Sequence, residues 1–111
     1  MIRNTTKNKV LANKAVFARS MFEKMIGLMF KSKINYGLVF IFNIEKKVNF
    51  HTCFMNFPID FIFLSEKMKV LKTVHNVKPF RMNIFGVGKY VVELKAGDSL
   101  NTSVGDTISF K

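Results

Sequence analysis

The chain has one cysteine, no tryptophan, and only seven acidic residues against eighteen basic ones. A lone Cys53 excludes an intrachain disulfide and any zinc motif built on cysteine pairs. With Trp absent, bulky and adaptable packing must come from thirteen Phe and seven Met residues. No run of about 18 apolar residues occurs, so no membrane-spanning helix is expected. The segment Met1 to Lys9 is basic but has no apolar stretch behind it and does not read as a secretory signal. A cytoplasmic location is the default expectation.

What is present suits one small folded domain. The 111 residues are 49 % hydrophobic, the opposite of the low hydrophobicity that marks disorder. A chain of this length buries roughly 65 % of its extended surface, enough for one modest core. The net charge of +11 invites an anionic partner such as nucleic acid or an acidic membrane surface. The excess is lysine, however; Arg3, Arg19 and Arg81 are the arginines. Specific reading of phosphates and bases favours the planar Arg fork over a point charge. The lysines are scattered, and Lys, Asn, Ile and Phe are abundant together, as an AT-rich genome would produce. The charge therefore reads as a solubilising surface with weak, salt-sensitive attraction to polyanions.

Hydrophobic periodicity predicts a mostly β domain. Residues 1–9 are polar and read as a flexible tail, followed by one globular domain over 10–111. Val10 to Phe17 reads as a short strand or two stubs. Ser20-x-x-Glu23 is a capping box, and Met21, Phe22, Met25, Ile26 and Met29 recur at helical spacing, predicting one helix that ends near Phe30. Gly37 to Phe42 is a continuously apolar strand, Asn43 to Lys47 a polar turn, and Val48 to Phe54 a half-buried strand. Pro58 interrupts the run, because it cannot donate to a ladder. Ile59 to Ser65 resumes as strand, with Phe57, Ile59, Phe61 and Phe63 on one face and Asp60, Ile62 and Leu64 on the other. A turn at Glu66 to Met68 leads into a strand over Lys69 to Val77. Lys78 to Gly88, with Pro79, Gly86 and Gly88, reads as the longest loop. Tyr90 to Leu94 is a strand broken at Ala96-Gly97-Asp98, and Thr107 to Phe110 is the last. About seven strands and one short helix predict a β-barrel or sandwich, with a minor α+β character.

Several segments carry a family resemblance. Gly27-Leu28-Met29, Gly37 to Phe42, His51-Thr52-x-Phe54-Met55-x-Phe57-Pro58-Ile59-Asp60-Phe61-Ile62-Phe63-Leu64, and Tyr90-Val91-Val92-Glu93-Leu94-x-Ala96-Gly97 stand in this order. They resemble the domain of unknown function 192 family, also called uncharacterised protein family 0127, and the His-Thr-x-Phe-Met form looks like its archaeal branch. The resemblance covers Ala12 to Phe110. It implies a small, mainly β domain and carries no activity with it. Many relatives of the family have a signal peptide or lipoprotein leader; none is expected here, which favours the cytoplasm. Cys53 departs from the aromatic residue found at its position, so any role for the thiol would be private to this protein.

Asp60 is the most informative residue, because a carboxylate between Ile59 and Phe61 must be hydrogen-bonded, paired or shifted upward in pKa. It reads first as a cap on backbone amides near the Met55–Pro58 bend, and second as a ligand-orienting or general-base carboxylate. Glu93, between Val92 and Leu94, reads as a residue of a solvated face or a cross-strand partner of lysine. Were Asp60 and Glu93 to converge, they would form a carboxylate pair. His51 and Cys53 alternate along one expected strand, so a Cys-His-Asp nucleophile, or a metal site adding His75 or Asp60, can be drawn; neither spacing is a strong signature. Gly86-x-Gly88 lacks the helix and the Lys-Ser/Thr of a phosphate cradle. No metal site or cofactor is expected.

The candidate ligand-binding residues are therefore His51, Met55, Asp60 and Glu93. They suit a non-catalytic binding or accessory domain that takes a small ligand or a protein near the His51–Asp60 segment. A small hydrolase or metal-assisted enzyme using the same groups is the alternative. A non-specific nucleic-acid binder, resting on charge alone, is a weaker one.

Overall fold

The structure, a computed structural model, describes residues 1–18, 35–53 and 55–111. Eight strands run through them: β1 (Ile2–Asn4), β2 (Lys9–Ala12), β3 (Ala15–Ala18), β4 (Gly37–Phe50), β5 (Ile59–Leu64), β6 (Val70–Val77), β7 (Ile84–Lys95) and β8 (Ile108–Ser109). They form a three-stranded sheet in the order β2-β1-β8 and a five-stranded sheet in the order β3-β4-β7-β5-β6. β3 and β4 run parallel, and the other pairs are antiparallel. The arrangement is sandwich-like, and no barrel closes. The helix expected over residues 20–30 lies outside the described residues, among which there is no helix.

The alternation of β5 organises the core. All six of its residues are buried. Ile62 and Leu64 join Val39, Val92 and Leu94 of the large sheet and Ile2, Leu11 and Ile108 of the small one, filling the space between the sheets. Ile59, Phe61 and Phe63 point the other way, into a cluster with Phe40, Phe50, Met55 and Phe57. Phe50 is its hub, with ring centroids 5.2 Å from Phe40 and 5.6 Å from Phe61. Such offset and edge-to-face pairs add about 0.5–1.5 kcal/mol beyond the area they bury. The face assignment expected for β5 holds residue by residue.

Three expectations need correction. The residues read as a flexible tail contain β1, the middle strand of the small sheet, with Ile2 wholly buried. The buried Asn4 is satisfied internally: its Nδ2 donates to Asp106 Oδ2 at 2.8 Å and to Thr102 Oγ1 at 3.1 Å, and Lys7 Nζ lies 3.0 Å from Asp106 Oδ2. Local polarity cannot reveal partners about a hundred residues away. The turn expected at Asn43–Lys47 is instead part of the fourteen-residue β4, which shifts register against β7 between Ile41 and Lys46. Pairing with β7 resumes at Lys46 and Lys47, while Asn43 to Glu45 lie in the register shift with their side chains in water. The loop expected over Lys78–Gly88 ends early, because β7 begins at Ile84. Gly86 is there for close approach rather than for a turn: a Cβ would sit 2.4 Å from the Phe63 ring.

If β1 is integral, Ile2→Ala should lower unfolding free energy by about 2–4 kcal/mol, the usual cost of truncating a buried aliphatic side chain. Urea denaturation of the two proteins measures this, and a frayed terminus would leave the midpoint unchanged.

Candidate functional site

Asp60 is the second residue of β5 and points toward the sandwich side of the large sheet, where both carboxylate oxygens are engaged. Oδ1 accepts the Asn76 amide at 2.7 Å, from the end of β6. Oδ2 accepts the Gly97 amide at 2.9 Å, the Ser99 amide at 3.4 Å and the Ser99 hydroxyl at 2.6 Å. Burial alone would raise the pKa, but the Ser99 hydroxyl and the amides of Asn76, Gly97 and Ser99 outweigh it and hold the carboxyl below its ordinary value of 3.8. Asp60 is thus a clamp that joins β6 to the turn following β7. The sequence foresaw the capping role but assigned it to the wrong segment.

His75 extends the cluster, with Nδ1 2.9 Å from Ser99 Oγ and 3.8 Å from Asp60 Oδ2. Because the Ser99 hydroxyl donates to an ionised carboxylate, Nδ1 must carry a proton and donate to Ser99. The order Asp–Ser–His is not that of a nucleophile triad, in which histidine stands between acid and serine. Ser99 is 1 % exposed, and its hydroxyl is spent on Asp60.

Glu93 lies elsewhere. Its neighbours across the sheet are Leu38 and Phe61, both members of the Phe-rich cluster, so it faces that cluster and not Asp60. The two acids sit on opposite faces of one sheet and form no pair. Glu93 is 5 % exposed, which corrects the expectation of a solvated face, and burial pushes its carboxyl up to about 8. Among the described residues no cation or hydrogen-bond donor meets it.

His51 and Cys53 lie beyond the end of β4, where the chain has left the strand. His51 Nδ1 accepts the Cys53 amide at 3.2 Å. No three His, Cys, Asp or Glu side chains gather as a metal site among the described residues. Met55 is buried in the Phe-rich cluster. Thr52, which the sequence did not single out, is the structural centre of this turn. Its hydroxyl donates to Lys78 O at 2.6 Å and accepts the Arg81 amide at 3.0 Å, which ties the signature segment to the 78–81 loop.

Two open recesses occur on the described surface. One of about 340 Å³ is lined by Leu11, Ala12, Asn13, Asn35, Tyr36, Lys95 and Asp98. The other, of about 350 Å³, is lined by Ile41, Phe42, Asn43, Lys89 and Tyr90. Neither is lined by His51, Met55, Asp60 or Glu93. The first is linked to Asp60, because Asp98 stands between the two residues, Gly97 and Ser99, whose amides that carboxylate holds. Gly97 takes φ +97° to make this turn, a conformation glycine adopts without penalty. The Leu94-x-Ala96-Gly97 signature was the sequence signal for it.

A sandwich-like β domain with an amide-clamping aspartate near the head of a doubly buried interior strand describes the class. Residues 2–110 match the model of the DUF192 family, described as Uncharacterized ACR, and the chain belongs to that family. A UPF0127 protein of Pyrococcus horikoshii is 36 % identical over 99 % of this chain and 98 % of its own length. A UPF0127 protein of Thermococcus sibiricus is 35 % identical over 100 % of this chain and 75 % of its own. Two solved structures share the fold. A Sinorhizobium meliloti protein, proposed to be a transcription regulator, has a TM-score of 0.77 at 23 % identity, over 86 % of this chain and 79 % of that one. A protein of unknown function from Novosphingobium aromaticivorans has a TM-score of 0.74 at 24 % identity, over 86 % and 74 %. No helix among the described residues is long and apolar enough to cross a membrane.

The two acids should have opposite pH signatures. Asp60 contributes stability above its ordinary pKa that is lost as pH falls through its lowered folded value, so Asp60→Asn should destabilise at pH 7 and narrow the gap to wild type in acid. Glu93 ionises more readily unfolded than folded, so it costs stability increasingly between about pH 4.5 and 8, by about 1.4 kcal/mol per pH unit. Glu93→Gln should remove that slope and stabilise the protein most near pH 8. Urea midpoints from pH 3 to 9 measure both effects.

Proposed function

We propose that this protein is a non-catalytic binding module for a small polar ligand, with the recess beside Lys95 and Asp98 as its site. One observation carries the reading: both oxygens of Asp60 are consumed, Oδ1 by the Asn76 amide and Oδ2 in holding the 97–99 turn. A carboxylate so engaged, with its pKa lowered, is a poor general base. Its work is to position the residue held between those two amides, Asp98. The recess offers an ammonium at Lys95, a carboxylate at Asp98, side-chain amides at Asn13 and Asn35, and the Tyr36 ring. Opposite charges beside an aromatic ring and the apolar wall of Leu11 and Ala12 suit a small zwitterion with an apolar portion, such as a free amino acid. In this reading, Asp60 acts on the ligand through the turn, whereas His51, Met55 and Glu93 support the body of the domain around it.

Titration of labelled protein with single L-amino acids, followed by amide chemical shifts, tests this. Saturable changes clustered at Asn13, Lys95 and Asp98, lost in Lys95→Met and Asp98→Asn, are expected. Changes that stay linear with concentration, or that persist in both variants, would overturn the reading.

A further inference from the structure

The distal part of the β4–β7 ladder projects beyond its neighbours. β3 pairs with β4 only up to Phe40, and β5 pairs with β7 only from Tyr90 onward. Among the described residues, the pairs from Lys46↔Gly88 to Phe50↔Ile84 therefore form a two-stranded ribbon. Its Val48, Phe50 and Ile84 side is buried in the Phe-rich cluster. Its other side carries Lys47 opposite Val87 and Asn49 opposite Phe85, and the small sheet, whose core partners are Val39, Ile62, Leu64, Val92 and Leu94, does not cover it. Phe85 is 44 % exposed and Val87 45 % exposed. The loop entering β7 adds Phe80 and Met82, each about two-thirds exposed, with Arg81 between them.

Lysines accompany the rings. The Lys47 ammonium lies 5.7 Å from the centre of Phe85, Lys46 lies 5.1 Å from Phe42, and Lys89 lies 5.8 Å from Tyr90. Glu45 is the acid in this stretch, and its carboxylate already accepts the Glu66 amide. The exposed Phe85 ring beside the Lys47 ammonium, with Lys89 further along β7, matches what a flexible polyanion with stacking bases requires. A membrane surface would take the loop residues Phe80 and Met82 as its apolar tips, whereas Phe85, mid-strand beside Lys47, offers a ring face on which a base can stack. With one arginine in the patch, base-specific readout is not provided for.

We infer that the ribbon face carrying Lys47, Phe85 and Val87 binds single-stranded nucleic acid without sequence preference, with bases stacking on Phe85 while the flanking lysines meet phosphates. This surface is separate from the Lys95–Asp98 recess, so either reading can fail without the other.

Fluorescence anisotropy with a labelled fifteen-nucleotide oligo(dT), at 50 and 200 mM salt, tests it. The full chain should bind oligo(dT) more tightly than a duplex of equal length, with affinity falling steeply as salt rises. Phe85→Ala should weaken binding at least about fivefold with the salt slope unchanged, as expected for loss of one stacking platform. Lys47→Gln should weaken binding and flatten the slope by about one. Thermal melts would confirm that each variant is folded, and Lys47→Gln, at an exposed position, keeps the test open if Phe85→Ala is not. Absence of binding, equal affinity for duplex, both variants binding like wild type, or preference for anionic phosphatidylserine vesicles over oligo(dT) would overturn the inference.

Discussion

β5 is buried on both faces, and everything around it is arranged to make that possible. A strand in that position must present apolar side chains in both directions, and Ile59-x-Phe61-Ile62-Phe63-Leu64 does so. One face sets the Phe-rich cluster, the other the space between the sheets. The residue that breaks the apolar run, Asp60, is tolerated because three amides and a hydroxyl meet it. Those same bonds fix the end of β6 and the turn after β7 against the head of β5. A single acid in the core thus becomes the joint at which three parts of the chain meet.

The two embedded acids show how environment divides residues that look alike in sequence. Each lies between two apolar neighbours on a strand. Asp60 sits at a strand end, where loop amides can converge on it, and its charge is stabilised. Glu93 sits within the ladder between Leu38 and Phe61, where backbone groups are already paired, and its charge is penalised. The result is one carboxylate held ionised and another held neutral across most of the physiological range. The placement of Glu93 costs stability, and costs of that kind concentrate where side chains have tasks besides packing.

The distribution of charge gains meaning from the fold. Three acids, Asp60, Glu93 and Asp106, are withdrawn from the surface, which leaves the exterior more cationic than composition suggests. Where β4 and β7 run as a two-stranded ribbon, Lys47 stands beside the exposed Phe85 ring, with Lys46 and Lys89 close by along the strands. Aromatic exposure distinguishes this patch from a merely solubilising surface.

By itself, the sequence determined the β class, the family, the two-faced pattern of β5 and the presence of a buried acid needing partners. Those properties follow from alternation and from the cost of burying charge, both of which are local. Only the tertiary structure decided that Ile2–Asn4 is a central strand, that 46–47 and 84–88 are ladder rather than turn and loop, and that Asp60 and Glu93 face apart. Each depends on pairing between distant segments: Asn4 with Asp106, Lys47 with Val87, Asp60 with Gly97 and Ser99. The side of a sheet on which a residue lies, and the amides that reach it, are properties of register and neighbours. A strand pattern read one segment at a time contains neither.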